Sequence, residues 1–183
     1  MIHQVIHPRQ HGFVRGRSTV TNLLVYENFI SESMMLGCEV DSVCKDFSKA
    51  FDRVDHGLLV NKLQRVGFGG VMLKWLASYL YQRSQCVKIK NFVSVKMCVP
   101  SGVPQGSHLG PLLFNLFVND ISVCFVNSDF LLFADDLKIY RAVRNVSDTL
   151  VLQDDLDRLY DWSIKNKLSL NVSKCTVTFT RYN

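Results

Sequence analysis

Two adjacent carboxylates, Asp135 and Asp136, stand between two short apolar runs, residues 129–134 (Asp-Phe-Leu-Leu-Phe-Ala) and 137–140 (Leu-Lys-Ile-Tyr). This pattern predicts a β-hairpin with both acids at its tip. Neighbouring carboxylates crowd negative charge, a cost that a cation between them relieves. Hard oxygen ligands suit Mg²⁺, which proteins hold with one or two carboxylates and complete with substrate phosphates. A solvated Asp-Asp turn fits the same two residues, since Asp is common in turns.

Three further segments carry suitable residue types. Residues 40–47 alternate as a strand, and Asp46 at its end would approach Asp135 and Asp136 if the two strands are neighbours. The alternative there is a helix cap made by Asp46 or Ser48. Residues 101–107 (Ser-Gly-Val-Pro-Gln-Gly-Ser) lead through Gly110-Pro111 into an apolar helix. Glycines let a backbone approach a ligand, and a helix N-terminus favours anions; a plain hairpin-to-helix connection also uses Gly and Pro. Lys174, beyond Trp162, Asn166 and Asn171, could reach a phosphate or be a solvated charge before an edge strand.

The elements that must position these residues are legible in outline. Ser18 or Thr19 caps a helix that turns Leu23, Leu24, Phe29 and Ile30 inward and ends near Gly37. Residues 57–66 and 71–81 are helical, broken at Gly67 and Gly69-Gly70. Residues 85–89 and 92–99 form a hairpin turning at Lys90-Asn91, and residues 109–123 form an apolar helix. Residues 147–165 are helical, and residues 175–180 form the last strand. Strands mixed with helices in this order predict an α+β fold, an antiparallel sheet with helices on one face.

Composition narrows the class. A chain of 183 residues with 48% hydrophobic residues suits one domain, or a piece of something larger, and excludes a disordered chain. A net charge of +5 and a pI near 8.9 fit a polyanionic partner without requiring one. No stretch is long and apolar enough to span a bilayer, and the start lacks a signal-peptide core. The expectation is an intracellular protein with no membrane partner, nucleus and cytoplasm not distinguished. Six cysteines without a Cys-x-x-Cys pair argue for reduced thiols and against a zinc site.

Together these segments resemble the reverse transcriptase domain of non-LTR retrotransposons, most closely the insect jockey-like elements. The resemblance runs through Gln10-His11-Gly12-Phe13 with Arg17-Ser18-Thr19, residues 46–56 (Asp-Phe-Ser-Lys-Ala-Phe-Asp-Arg-Val-Asp-His), residues 102–121, residues 133–141 and residues 162–175. It implies a right-hand polymerase palm with partial fingers and no thumb, spanning residues 1–183. Rear fingers would occupy about 1–37, and the palm, with inserted fingers elements, about 38–183. It implies an RNA-directed DNA polymerase that adds dNMP to a primer 3′-OH, with an RNA template, a DNA primer and dNTPs as partners. Two Mg²⁺ ions about 3.5–4 Å apart would be held by Asp46, Asp135, Asp136 and the Phe47 carbonyl. Lys174 would protonate pyrophosphate as a general acid.

The resemblance also makes Phe51 a steric gate against the ribose 2′-hydroxyl, where a core aromatic is the alternative. Gln105 and Gly106 would line the nucleotide and template pocket, and Arg17, with Arg15, would touch template or phosphates. Lys88, Lys90 and Lys96 fit a nucleic-acid groove or a solvated sheet face equally. Lys45 departs from the family pattern, in which a small or apolar residue precedes the first acid. A fingers strand with an Arg-Pro-Ile-type motif has no counterpart before Gln10, and the primer-gripping hairpin is missing after the lysine strand. Activity of this chain alone and its oligomeric state are therefore left open. The competing expectations are a catalytically inactive remnant with weak nucleic-acid binding and an unrelated Mg²⁺-dependent nuclease.

Overall fold

In chain order the elements are helix α1 (Thr19–Met35), strand β1 (Glu39–Lys45), helices α2 (His56–Arg65) and α3 (Gly70–Leu80), and strands β2 (Ser84–Gln85), β3 (Lys88–Ile89), β4 (Phe92–Val93) and β5 (Met97–Cys98). Helix α4 (Leu109–Val118), strands β6 (Asp129–Phe133) and β7 (Asp136–Val143), helix α5 (Val146–Lys165) and strand β8 (Thr176–Thr180) follow. The computed structural model describes residues 5–181; residues 1–4 and 182–183, the outer ends of the expected 1–183 domain, lie outside them. The chain divides into two units, Met1–Ser48 with Val118–Asn183 and Lys49–Phe117. The expected boundary near residue 37 falls inside the first.

The first unit is built on an antiparallel sheet in the order β6-β7-β1-β8. Helices cover both of its faces, where the sequence pattern suggested one. From α1, Val25, Tyr26, Phe29 and Ile30 pack on Val40, Leu131 and Tyr140. On the opposite face, α5 and β8 border a groove lined by Val43, Leu159 and Val177. This double cover explains why Val40, Asp41, Ser42 and Val43 are buried in succession, a run that simple in–out alternation would not give.

α1 begins as its sequence suggests. The Ser18 hydroxyl accepts from the Thr21 amide, and the Thr21 hydroxyl receives the Ser18 amide, a reciprocal cap. Its inward stripe differs, for Leu23 and Leu24 are 48% and 57% exposed. Placing Tyr26 and Phe29 over the Tyr140 ring, with centroids 5.1 and 4.7 Å away, turns the two leucines outward. The helix expected over 109–123 stops at Val118 and continues as a 3₁₀ turn, Asn119–Cys124. There Asn119 bonds the backbone of Val5 and His7, and Asp120 accepts from the Trp162 indole, so these side chains serve tertiary contacts.

The second unit pairs α2 with α3 around Leu59, Leu63, Leu76 and Leu80. Its hairpin is two short ladders, β2 with β5 and β3 with β4. The registers differ by one residue, so Cys86-Val87 faces Ser94-Val95-Lys96 across a bulge. Among the described residues no helix is long and apolar enough to cross a membrane.

Tyr140 fills the centre of the first unit, fully buried; among the described residues its hydroxyl lacks a hydrogen-bond partner, and burial pushes its pKa up to about 12. Tyr140→Phe should therefore leave stability unchanged or raise it by up to about 1 kcal/mol. Tyr140→Ala should cost about 3–5 kcal/mol. Denaturant unfolding of both variants checks the pair; a loss in Tyr140→Phe comparable to that in Tyr140→Ala would refute the assignment.

Candidate active site

The register of the main sheet gathers the chemistry-bearing residues at one end. Lys45 lies opposite Leu137, and Cys44 lies opposite Thr176. Continuing each ladder brings Asp46 level with Asp136 on one side and Lys174 on the other. The hairpin of β6 and β7 closes at the same end, with Phe133 paired to Asp136 across the two-residue turn Ala134-Asp135. Only Asp135 is at the tip; Asp136 is the first residue of β7, one position from where the sequence pattern put it. Ala134 takes the left-handed turn position, with φ 57°.

Asp46 is pinned by backbone pairing. The Asn171 amide donates to the Asp46 carbonyl at 2.7 Å, and the Ser48 amide donates to the Ser169 carbonyl at 2.9 Å. These bonds flank Phe47, so its own carbonyl points away from Leu170, its bridge partner. The Lys174 ammonium lies 2.8 Å from the Asp46 carboxylate. A cavity of about 460 Å³ opens here, lined by Asp46, Asp136, Lys45, Lys138 and Lys174, with Leu23 of α1 among its walls. Two acids beside three ammonium groups suit a ligand carrying both phosphates and a bound cation.

Burial first, then the charges of Asp136 and Asp46, raise the Asp135 pKa above the ordinary carboxylate value; its own backbone hydrogen bond and Lys174 oppose this. Burial and Asp46 raise that of Asp136, again against Lys174. The hydrogen bond and charge of Asp46 raise Lys174. Asp135 and Asp136 thus both sense the Asp46 charge. The three acids do not close on a common point, for among the described residues no three His, Cys, Asp or Glu groups form a ready ligand set. The oxygens a cation could use are the carboxylates of Asp46, Asp135 and Asp136 and the carbonyl of Phe47.

The remaining candidates lie elsewhere in the chain. Arg17 donates to the carbonyls of His7 and Gln10, at 3.3 and 2.5 Å, and so braces the N-terminal segment. In the second unit, half-buried Phe51 stacks on Phe114 with centroids 4.2 Å apart. Gln105 donates to the Asp52 carboxylate at 2.7 Å. Gly102, at φ +87°, brings the loop so close to Asp52 that a Cβ would lie 2.8 Å from its Cα and carbonyl oxygen. Gly106, at φ +76°, has open space beside it.

Sequence reasoning gave no structural role to Gln10, buried against the Ala134 turn. It also passed over Lys138, which lies over the Tyr26 ring and lines the cavity. A glutamine two residues before a glycine was the only available signal for the first. Lys138 gave none, since a lysine in an alternating strand reads as solvent-facing.

The acids make stability depend on pH. A folded-state pKa above the unfolded value means that the native state holds its protons more tightly, so stability falls as pH rises through that interval. Asp135→Asn and Asp136→Asn should therefore stabilise the metal-free chain at neutral pH. The gain should stay below about 1 kcal/mol because solvent screens the cluster. It should fade as pH falls through the ordinary carboxylate range and vanish below about pH 3, where the carboxyls are neutral in both states. Thermal melts across pH check this; destabilisation at neutral pH would contradict it.

Residues 1–182 match the model of a family described as reverse transcriptase (RNA-dependent DNA polymerase). The RNA-directed DNA polymerase from mobile element jockey of Drosophila melanogaster is 31% identical over 179 residues, 93% of this chain and 19% of that protein. The probable RNA-directed DNA polymerase from transposon X-element of the same organism is 32% identical, again over 93% of this chain and 19% of the relative. The chain thus spans about a fifth of the length of these relatives. Among solved structures, apo telomerase from Candida tropicalis, truncated from its C-terminal domain, superposes with a TM-score of 0.70 at 12% identity. That match covers 96% of this chain and 37% of the other. Telomerase from Candida albicans, in complex with the TWJ fragment of telomeric RNA, gives 0.69 at 11% identity, covering 97% and 32%.

Proposed function

The chain belongs to the reverse transcriptase (RNA-dependent DNA polymerase) family, and on that premise we propose that it is the palm and rear-fingers part of an RNA-directed DNA polymerase of a non-LTR retroelement. The observation that carries the reading is the meeting of Asp46, Asp135, Asp136 and Lys174 at one end of the sheet. Its partners are an RNA template, a DNA primer and dNTPs. Within it, about residues 1–37 would be the rear fingers and about 38–183 the palm with inserted fingers elements.

Asp46, Asp135 and Asp136, with the Phe47 carbonyl, fit a divalent cation because they are hard oxygen donors, and burial and neighbouring carboxylates disfavour the bare charges of Asp135 and Asp136. Two Mg²⁺ ions held there would supply activation of the primer 3′-hydroxyl and neutralisation of charge on the leaving pyrophosphate. Lys174, whose pKa Asp46 raises further, is protonated at neutral pH, so its Nζ can hold a proton for the pyrophosphate oxygen. Lys45 and Lys138, which line the same cavity, would draw in the triphosphate. Phe51 would exclude the 2′-hydroxyl, Gln105 and Gly106 would line the nucleotide pocket, and Arg17 would hold the segment that borders the template. Little covalent chemistry falls to the protein, so fixed placement of the acids sets the rate.

Primer extension on an RNA template with dNTPs and Mg²⁺ tests the reading. Asp135→Asn should lower incorporation by about 10²–10³-fold or more; equal extension by the folded variant would refute the metal role. No extension by the folded parent, with salt-sensitive binding of nucleic acid alone, would favour the inactive-remnant reading. Phe51→Ala should raise ribonucleotide incorporation by about tenfold or more, and unchanged discrimination would remove the gate.

A further inference from the structure

Ala134 occupies a turn position that favours glycine, since φ 57° is uncommon for a residue with a Cβ. No glycine is there, so something else must stabilise the conformation. The Gln10 side chain, 2% exposed, does this with a single amide. Its Oε1 accepts from the Ala134 N–H at 2.9 Å and from the Gly12 N–H at 2.8 Å. Its Nε2 donates to the Ala134 carbonyl at 3.2 Å. Both polar groups of Ala134 are thereby held, which fixes the peptide planes on either side of it. The second of those planes leads directly into Asp135.

The surrounding segment aims the amide. Gln10 bridges Leu132 in parallel, with His11 N–H donating to the Leu132 carbonyl at 2.8 Å and Leu132 N–H to the Arg9 carbonyl at 2.9 Å. Arg9 pairs with Asp129, at the far end of β6, at 2.5 Å. Gly12 then passes so close that a Cβ would lie 2.1 Å from the Ala134 nitrogen, which leaves no room for a side chain. Core packing alone would be served by Leu or Met at position 10. A neutral group that accepts at one atom and donates at the other is what the turn requires.

We propose that Gln10 is a positioning residue for Asp135: its amide clamps the Ala134 turn and so sets where the Asp135 carboxylate stands relative to Asp46 and Asp136. The consequence for metal binding rests on the metal reading given above; the clamp itself does not.

The test uses the whole chain, with Mn²⁺ as the probe followed by electron paramagnetic resonance and amide hydrogen exchange followed by NMR. Gln10→Met should stay folded, with the Ala134 amide exchanging about tenfold faster or more and Mn²⁺ binding weakened about tenfold. A folded Gln10→Met with parent-like exchange at Ala134 overturns the clamp, and parent-like Mn²⁺ binding overturns its role in placing Asp135. A parent that binds no Mn²⁺ overturns the metal reading and the positioning of a ligand with it, while exchange at Ala134 still decides the clamp. Should Gln10→Met fail to fold, Gln10→Glu decides, since a neutral carboxyl offers the same acceptor and donor and an ionised one cannot donate. Its Ala134 exchange rate, divided by that of the parent, should be near one at about pH 5 and rise toward about pH 8; a flat ratio overturns the proposal.

Discussion

Mutual repulsion among three carboxylates is the constraint on which the first unit is built. Asp46, Asp135 and Asp136 come from two strands, and an unconstrained chain would let them move apart into water. Antiparallel pairing of β1 with β7 forbids that, because seven successive pairs from Glu39↔Val143 to Lys45↔Leu137 fix the register. A slip of one residue would turn Tyr140 and Val40 from the face under α1 to the opposite face. The hydrophobic energy of the core thus holds the acids together, and the opposing charge of Lys174 only partly relieves them.

Scaffolding around the acids is denser than the acids themselves require. Residues 169–171 pair with 46–48 and hold Asp46 from one side. The segment Arg9–Gly12 holds β6 and the Ala134 turn from another. Both are short stretches of irregular chain whose backbone groups find partners in the hairpin or the end of β1. The proposed catalysis by positioning would need such bracing, since small displacements of a charged group are costly to rate.

The sequence announced the elements better than their surroundings. Turn residues and apolar runs predicted the Asp-Asp hairpin, and Ser18, one of two capping candidates with Thr19, marked the start of α1. Asp46 stood out because it follows an apolar strand, and the register places that strand beside β7. Three matters lay beyond local pattern. The turn shifted to Ala134-Asp135 because Gln10, 124 residues away in sequence, stabilises a left-handed alanine there. Leu23 and Leu24 turned outward because Tyr26 and Phe29 claimed the space over Tyr140. The 109–123 helix tightened after Val118 because Asn119 and Asp120 were drawn into contacts with Val5, His7 and Trp162. Each is a tertiary contact overriding a local preference, which no window of neighbouring residues contains.

The proposed role of Asp46, Asp135 and Asp136 as one divalent-cation site is decided by thermal unfolding at neutral pH with and without Mg²⁺. A ligand that binds only the folded state raises stability by RT ln(1 + [L]/Kd). The account predicts that Mg²⁺ raises the melting temperature of the parent and that Asp46→Asn and Asp135→Asn each abolish most of that rise while remaining folded. An equal rise in parent and variants, or none in the parent, would contradict it.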